Sequence, residues 1–131
     1  EILRKFVEDQ DEGALLKIIQ NGADPNVADP SSGLTPLMVA ARLNYPKIVR
    51  LLVEQGALTE KKDDEGWCAL HHAAAKNSRM SARELLHRRA SLNCNNTKGG
   101  SPLMIATKFR APDVAKLLII YGAHVNDKNN K

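Results

Sequence analysis

Cysteine is scarce in this chain, with two in 131 residues. Two thiols exclude a disulfide-built scaffold and fit a reducing compartment. Aromatic residues are few as well: one Trp, two Tyr and two Phe. Long apolar runs are missing. The longest strong one, Leu117 to Tyr121, is far short of the ~20 residues that cross a bilayer. No apolar segment near Glu1 reads as a signal peptide. There is no C-x-x-C pair, no G-x-G-x-x-G and no P-loop, so the common signatures of metal, dinucleotide and nucleotide sites are lacking. The expectation is an intracellular protein, cytoplasmic or nuclear, without a membrane partner.

What is present suits a folded chain. It is 43% hydrophobic and 26% charged, and its length makes one domain or a short array of repeats. The net charge of +4 hides a split. Residues 1–65 hold 8 basic and 12 acidic residues, and residues 66–131 hold 11 and 3. Such asymmetry bears on partners, not on fold.

The strongest signal is a period of 33. It joins Gly33, Gly66 and Gly99, then Leu37, Leu70 and Leu103, then Ala40, Ala73 and Ala106. Leu52, Leu85 and Leu118 share it, as do Ala57, Ala90 and Ala123. The units read Gly33-Leu-Thr-Pro-Leu-Met-Val-Ala-Ala, Gly66-Trp-Cys-Ala-Leu-His-His-Ala-Ala and Gly99-Gly-Ser-Pro-Leu-Met-Ile-Ala-Thr. An earlier unit fits with one inserted residue near Pro30, Ala14–Asn26 matching Ile48–Glu60.

Each unit spells two short helices. Thr35 and Ser101 are good N-caps, and Pro36 and Pro102 follow at the first helical position. Pro46 and Pro112 open the second helix, whose stripe is Ile48, Val49, Leu52 and Val53. Gly22, Gly56 and Gly122 are expected to stop that helix in left-handed geometry. One unit cannot bury its own apolar face, but stacked units can.

This pattern resembles the ankyrin repeat, with its 33-residue period and T-P-L-H-x-A signature. The resemblance implies an all-α solenoid of stacked helix-turn-helix units joined by β-turn or hairpin loops. It implies a single domain over residues 1–131, with approximate repeats 1–29, 30–62, 63–95 and 96–131. Met38 and Met104 replace the signature His, which only His71 keeps. Repeat 3 has Cys68-Ala69 for Thr-Pro and Arg89 where its neighbours have Gly56 and Gly122. A left-handed non-Gly residue costs roughly 1 kcal/mol, so repeat 3 is expected to be the least stable internal unit. Ile120 stands where the preceding units have Glu54 and His87. That end is not clearly a polar cap, which suggests a piece of a longer array.

Chemistry is weakly supported. Cys68, His71 and His72, with Cys94, His87 and His124 as completions, invite a metal, but zinc needs four converging ligands. His71 is explained by the signature, and no metal or cofactor is expected. Cys68 and His71 lack a third orienting group for nucleophilic catalysis. Gly99-Gly100 reads as a turn, and Asp63-Asp64-Glu65 as a solvated turn tip. No catalytic residue is expected.

The resemblance places partner binding on a concave face of inner helices and turn tips. Projected onto each unit, that face predicts Leu34, Arg42, Leu43, Trp67, Lys76, Lys108, Phe109 and Arg110. Trp67 and Phe109 would frame a pocket between cations, the composition of an interface hot spot; alternatively each packs into a repeat seam. Arg50, Arg83 and Lys116, extended by Arg79 and His87, form a second basic series expected on the solvated convex side. The leading function is a protein-interaction module, scaffold, adaptor or regulator, monomeric and binding an acidic segment of a protein or peptide. A binder of nucleic acid or a phosphorylated anion, and a non-catalytic part of a larger enzyme, are the alternatives. Asn26, Asn93 and Asn126 recur at turns. The resemblance allows hydroxylation there, and turn hydrogen bonding is the plainer use.

Overall fold

The computed structural model describes the backbone of residues 2–129 and the side chains of residues 3–122. Helices α1 (Ile2–Glu8), α2 (Glu12–Gln20), α3 (Pro36–Leu43), α4 (Pro46–Glu54), α5 (Ala69–Ala75), α6 (Arg79–His87), α7 (Pro102–Lys108) and α8 (Pro112–Asn129) follow one another. They pair in chain order, α1 with α2, α3 with α4, α5 with α6 and α7 with α8. The odd-numbered helices pack successively into one layer and the even-numbered helices into a second. The result is an all-α solenoid, and no strand occurs among the described residues.

Local chemistry accounts for the inner helices. Thr35 and Ser101 have extended backbone, and each hydroxyl accepts from the N–H three residues on, at 3.3 and 3.2 Å. Pro36 and Pro102 then sit where no donor is needed. Ala40, Ala73 and Ala106 have no exposed surface, so neighbouring helix backbones approach across a bare methyl. The outer helices bury Ile48, Val49 and Leu52, then Ala82, Leu85 and Leu86, then Val114, Leu117 and Leu118. Each large side chain so buried stabilises the stack by about 1.5–3 kcal/mol.

The expected stops hold at Gly22 (φ 111°) and Gly56 (φ 104°), and Arg89 occupies the same place at φ 68°. Gly122 departs from expectation: it lies inside α8, which continues to Asn129. The stop at Gly56 is fastened by Asn26, whose amide donates to Gly56 O (3.1 Å) and accepts from Leu58 N (2.8 Å). A glycine inside a helix costs only ~1 kcal/mol, so α8 can run through Gly122. Asn26 is thus a structural clamp. Asn126 lies outside the described side chains.

Three turn tips stack along one edge. Asp29 N donates to Leu34 O, Asp63 N to Trp67 O and Asn96 N to Gly100 O, at 2.8–2.9 Å. The Asp63 carboxylate accepts from Glu65 N and Trp67 N, and the Asn96 amide oxygen from Lys98 N and Gly100 N. Successive tips are tied together by Asp64 N to Ser32 O (3.0 Å) and Thr97 N to Glu65 O (3.1 Å). These are closed turns without strands, where hairpin loops had been one expectation. The close stacking requires Gly33 and Gly66. A Cβ there would stand 2.8 Å from Asp64 N or 2.7 Å from Thr97 N.

Candidate functional site

The groove between the turn tips and the inner helices centres on Trp67. Its backbone follows the Asp63 turn, and its half-buried ring packs against the core. The indole centroid lies 5.8 Å from that of His71, 5.1 Å from His72 and 6.3 Å from Phe109, with Phe109 edge-on at 86°. Phe109 is 47% exposed, and Lys108 Nζ stands 5.9 Å from its ring centroid. Both earlier alternatives for the aromatics are therefore partly realised. Trp67 packs inward and Phe109 stays open, yet the two rings meet.

Five of the eight predicted residues line this one groove: Leu34, Arg42, Trp67, Lys76 and Phe109. Leu43 opens instead onto an adjoining hollow with Arg4, Glu8 and Val39, which shares Arg42 and Lys76. Lys108 joins the groove through the Phe109 ring. Arg110 is exposed at the left-handed turn between α7 and α8 (φ 53°) and lines neither hollow.

The groove also contains residues the sequence reading set aside. Asp63, Asp64 and Glu65 form its lip, and His72 and Ala75 part of its wall. The Asp63 carboxylate is largely spoken for: beside its two backbone donors it accepts from His72 Nε2 at 2.9 Å. Burial lowers the His72 pKa, against the upward pull of Asp63, so the imidazole is a neutral strut holding the lip to α5. The signal was available in the repeat, since His72 stands where the sister units have the apolar Val39 and Ile105.

Beneath the groove, His71 is fully buried. Its Nδ1 accepts from Cys68 N at 3.1 Å, and its Nε2–H donates to Gly100 O at 2.8 Å. Burial lowers its pKa as well. The Cys68 thiol lies 3.3 Å from Nδ1, and burial pushes its pKa up to about 12. A buried, protonated thiol is not a nucleophile. The weak cap expected at Cys68 is thus backed from the other side, by the histidine rather than the cap residue.

The other basic series behaves differently. Arg50 and Arg83 line a hollow between α4 and α6 together with Glu54, Glu84 and Arg88. Glu84 takes Arg50 at 3.6 Å and Arg88 at 3.2 Å, and Glu54 takes Arg88 at 3.1 Å. Of this series only Arg50 is matched to a carboxylate among the described residues, and Arg83 lines the hollow without an ion pair.

The sequence matches the family model described as ankyrin repeats (3 copies) over residues 6–96 and 59–129. The chain belongs to the ankyrin-repeat family. It is 34% identical over 117 residues to a fowlpox virus ankyrin repeat protein, covering 87% of this chain and 34% of that protein. It is 38% identical over 103 residues to human neurogenic locus notch homolog protein 4 and 33% over 90 residues to human SH3 and multiple ankyrin repeat domains protein 2. Those matches cover 78% and 68% of this chain but 5% of each relative. The chain therefore spans 34% or less of these relatives. Ankyrin-repeat domains are non-catalytic scaffolding modules with a general role in protein–protein interaction, and this domain is one of them. None of the described helices is long and apolar enough to cross a membrane.

Proposed function

We propose that this ankyrin-repeat domain grips a short acidic segment of a partner protein in the Trp67 groove, as a monomeric scaffold, adaptor or regulator. The observation that carries the reading is the edge-on Trp67–Phe109 pair with Arg42, Lys76 and Lys108 around it. Rings give a partner side chain a rigid apolar seat, and the cations select its flanks. The exposed Asp64 and Glu65 on the lip add a constraint. The segment lays its acidic residues toward the helix ends and keeps them off the turn tips, which fixes its direction. The same lip disfavours a nucleic acid lying along the groove, because a polyanion would meet it at close range.

Selection from a random peptide library tests this. Enriched peptides are expected to carry one apolar anchor beside Asp or Glu. Binding should fall roughly tenfold or more in Trp67→Ala and fall in Lys76→Glu, while Arg83→Glu on the outer layer binds normally. Loss in Arg83→Glu with retention in Trp67→Ala would place the interface on the opposite side. RNA binding that outcompetes the peptides and weakens steeply with salt would favour the anionic-ligand alternative.

A further inference from the structure

The chain's two cysteines are 26 residues apart in sequence and meet at one buried point. Cys68 is the cap of α5, and Cys94 lies in the turn beyond α6. Cys68 Sγ, Cys94 Sγ and a ring nitrogen of His71 all lie within 4.8 Å of one another. All three residues are buried, at 1%, 9% and 0% exposure. From these residues we propose a metal site, a copper(I) ion held by Cys68 Sγ, Cys94 Sγ and His71 Nδ1.

Three features support it. The first is spacing. In a trigonal site with metal–sulfur bonds of ~2.3 Å, ligand atoms stand about 4 Å apart, between the 3.3 Å of Cys68 Sγ to His71 Nδ1 and the 4.8 Å limit of the cluster. The second is orientation. The His71 Nε2–H is fixed on the Gly100 carbonyl, which presents the Nδ1 lone pair to the thiols. A ligating imidazole is set in this way, by a partner on its far nitrogen. The third is placement within the repeat. The Cys68 position is Thr35 or Ser101 in the sister units, and the Cys94 position is Lys61. Both thiols occur in the same unit, facing each other and the one signature histidine.

The ligand set selects the ion. Two thiolates are soft and an imidazole suits copper and zinc alike, so the set favours copper(I) and zinc. Zinc asks for a fourth ligand, and no fourth Cys, His, Asp or Glu joins the cluster among the described residues, which do not include the His124 side chain. Copper(I) is complete with three. Binding exchanges the two thiol protons for the ion and forms two Cu–S bonds and one Cu–N bond, with no change of oxidation state. The site then carries one net negative charge. Lys62, whose ammonium donates to Asn95 O beside Cys94 at 2.9 Å, partly offsets it. The ion takes over the Nδ1 lone pair now used by Cys68 N–H, a loss small beside the metal–ligand bonds.

The test is anaerobic titration of the reduced protein with copper(I) against a chromogenic chelator. One copper per chain is expected, with sulfur and nitrogen ligands in the X-ray absorption spectrum and a raised melting temperature. Cys68→Thr installs the cap found in the second unit and so should fold; Cys94→Ser changes a residue in a turn. Each should lower the copper affinity by on the order of 100-fold or more. Affinity unchanged in both variants would overturn the site. Copper bound by sulfur alone would overturn the role of His71. Tighter binding of zinc than of copper(I), in parallel competition assays, would overturn the choice of ion.

Discussion

The second and third units of the stack solve the same structural problem with different chemistry. In the second, Thr35 caps α3 through its own hydroxyl, Pro36 follows, and Met38 Sδ meets Thr35 N at 3.4 Å. In the third, the Cys68 sulfur is only a weak acceptor for His71 N, and the His71 ring supplies the stronger half of the cap. The imidazole satisfies Cys68 N on one side and reaches Gly100 O in the next turn on the other. The second unit closes α4 with Gly56, the third closes α6 with Arg89 in left-handed geometry. The lesson is that a weak local cap is tolerated where a buried side chain ties the unit to its neighbour. Local stability has been exchanged for a connection between units.

The largest effect should come from breaking what the two units share. Gly66→Ala puts a methyl 2.7 Å from Thr97 N at a φ of 79°, so both strain and clash arise. A destabilisation of about 3 kcal/mol is expected by urea unfolding. Gly33→Ala should match it, since Asp64 N is 2.8 Å away at φ 80°. Gly99→Ala has the same left-handed backbone (φ 78°) but nothing within 4 Å, so only the conformational cost of ~1 kcal/mol remains. Equal losses at Gly66 and Gly99 would show that turn stacking contributes little.

His71→Met is the next step down, since it writes the second unit's residue into the third. A thioether can meet Cys68 N weakly but cannot donate to Gly100 O. The expected cost is about 1.5 kcal/mol, and the Gly100 region should lose hydrogen-exchange protection. A neutral result would mean that Met38 and His71 are interchangeable, and the comparison would lose its content.

Much of this was legible in the sequence. The 33-residue period gave the helix pairs, the Thr35 and Ser101 caps and the stop at Gly56, because each rests on local backbone chemistry. The groove was half legible. Trp67, Phe109, Arg42 and Lys76 follow from the family resemblance projected onto the repeat register, whereas the acidic lip did not. Asp63 read as a solvated turn, and only the fold brings His72 beneath it. Gly122 misled for the opposite reason. A glycine permits a left-handed stop but does not compel one, and the fastening that Asn26 supplies at Gly56 is a contact between units. Cys68 and Cys94 each had a local explanation, and their meeting is purely tertiary.

The smallest and most discriminating change is Arg89→Gly. The Arg89 side chain is exposed, so its removal should cost little packing. The gain is relief of a left-handed non-glycine residue, offset by the greater freedom of glycine in the unfolded chain, for a net stabilisation of about 0.5–1 kcal/mol. Its neighbour Arg88 is held to Glu84 on α6 and to Glu54 on α4, so the strained backbone is pinned from the adjacent unit and the substitution should not shift α6. Because coupling in such arrays is mainly to nearest neighbours, the amides of α5 and α6 should gain the most protection in hydrogen exchange. Before the substitution those amides should be the quickest to exchange among the two internal units. If they are already the slower pair, the tie through His71 outweighs the weak cap and the strained stop together, and the third unit is the clamp of the stack rather than its soft spot.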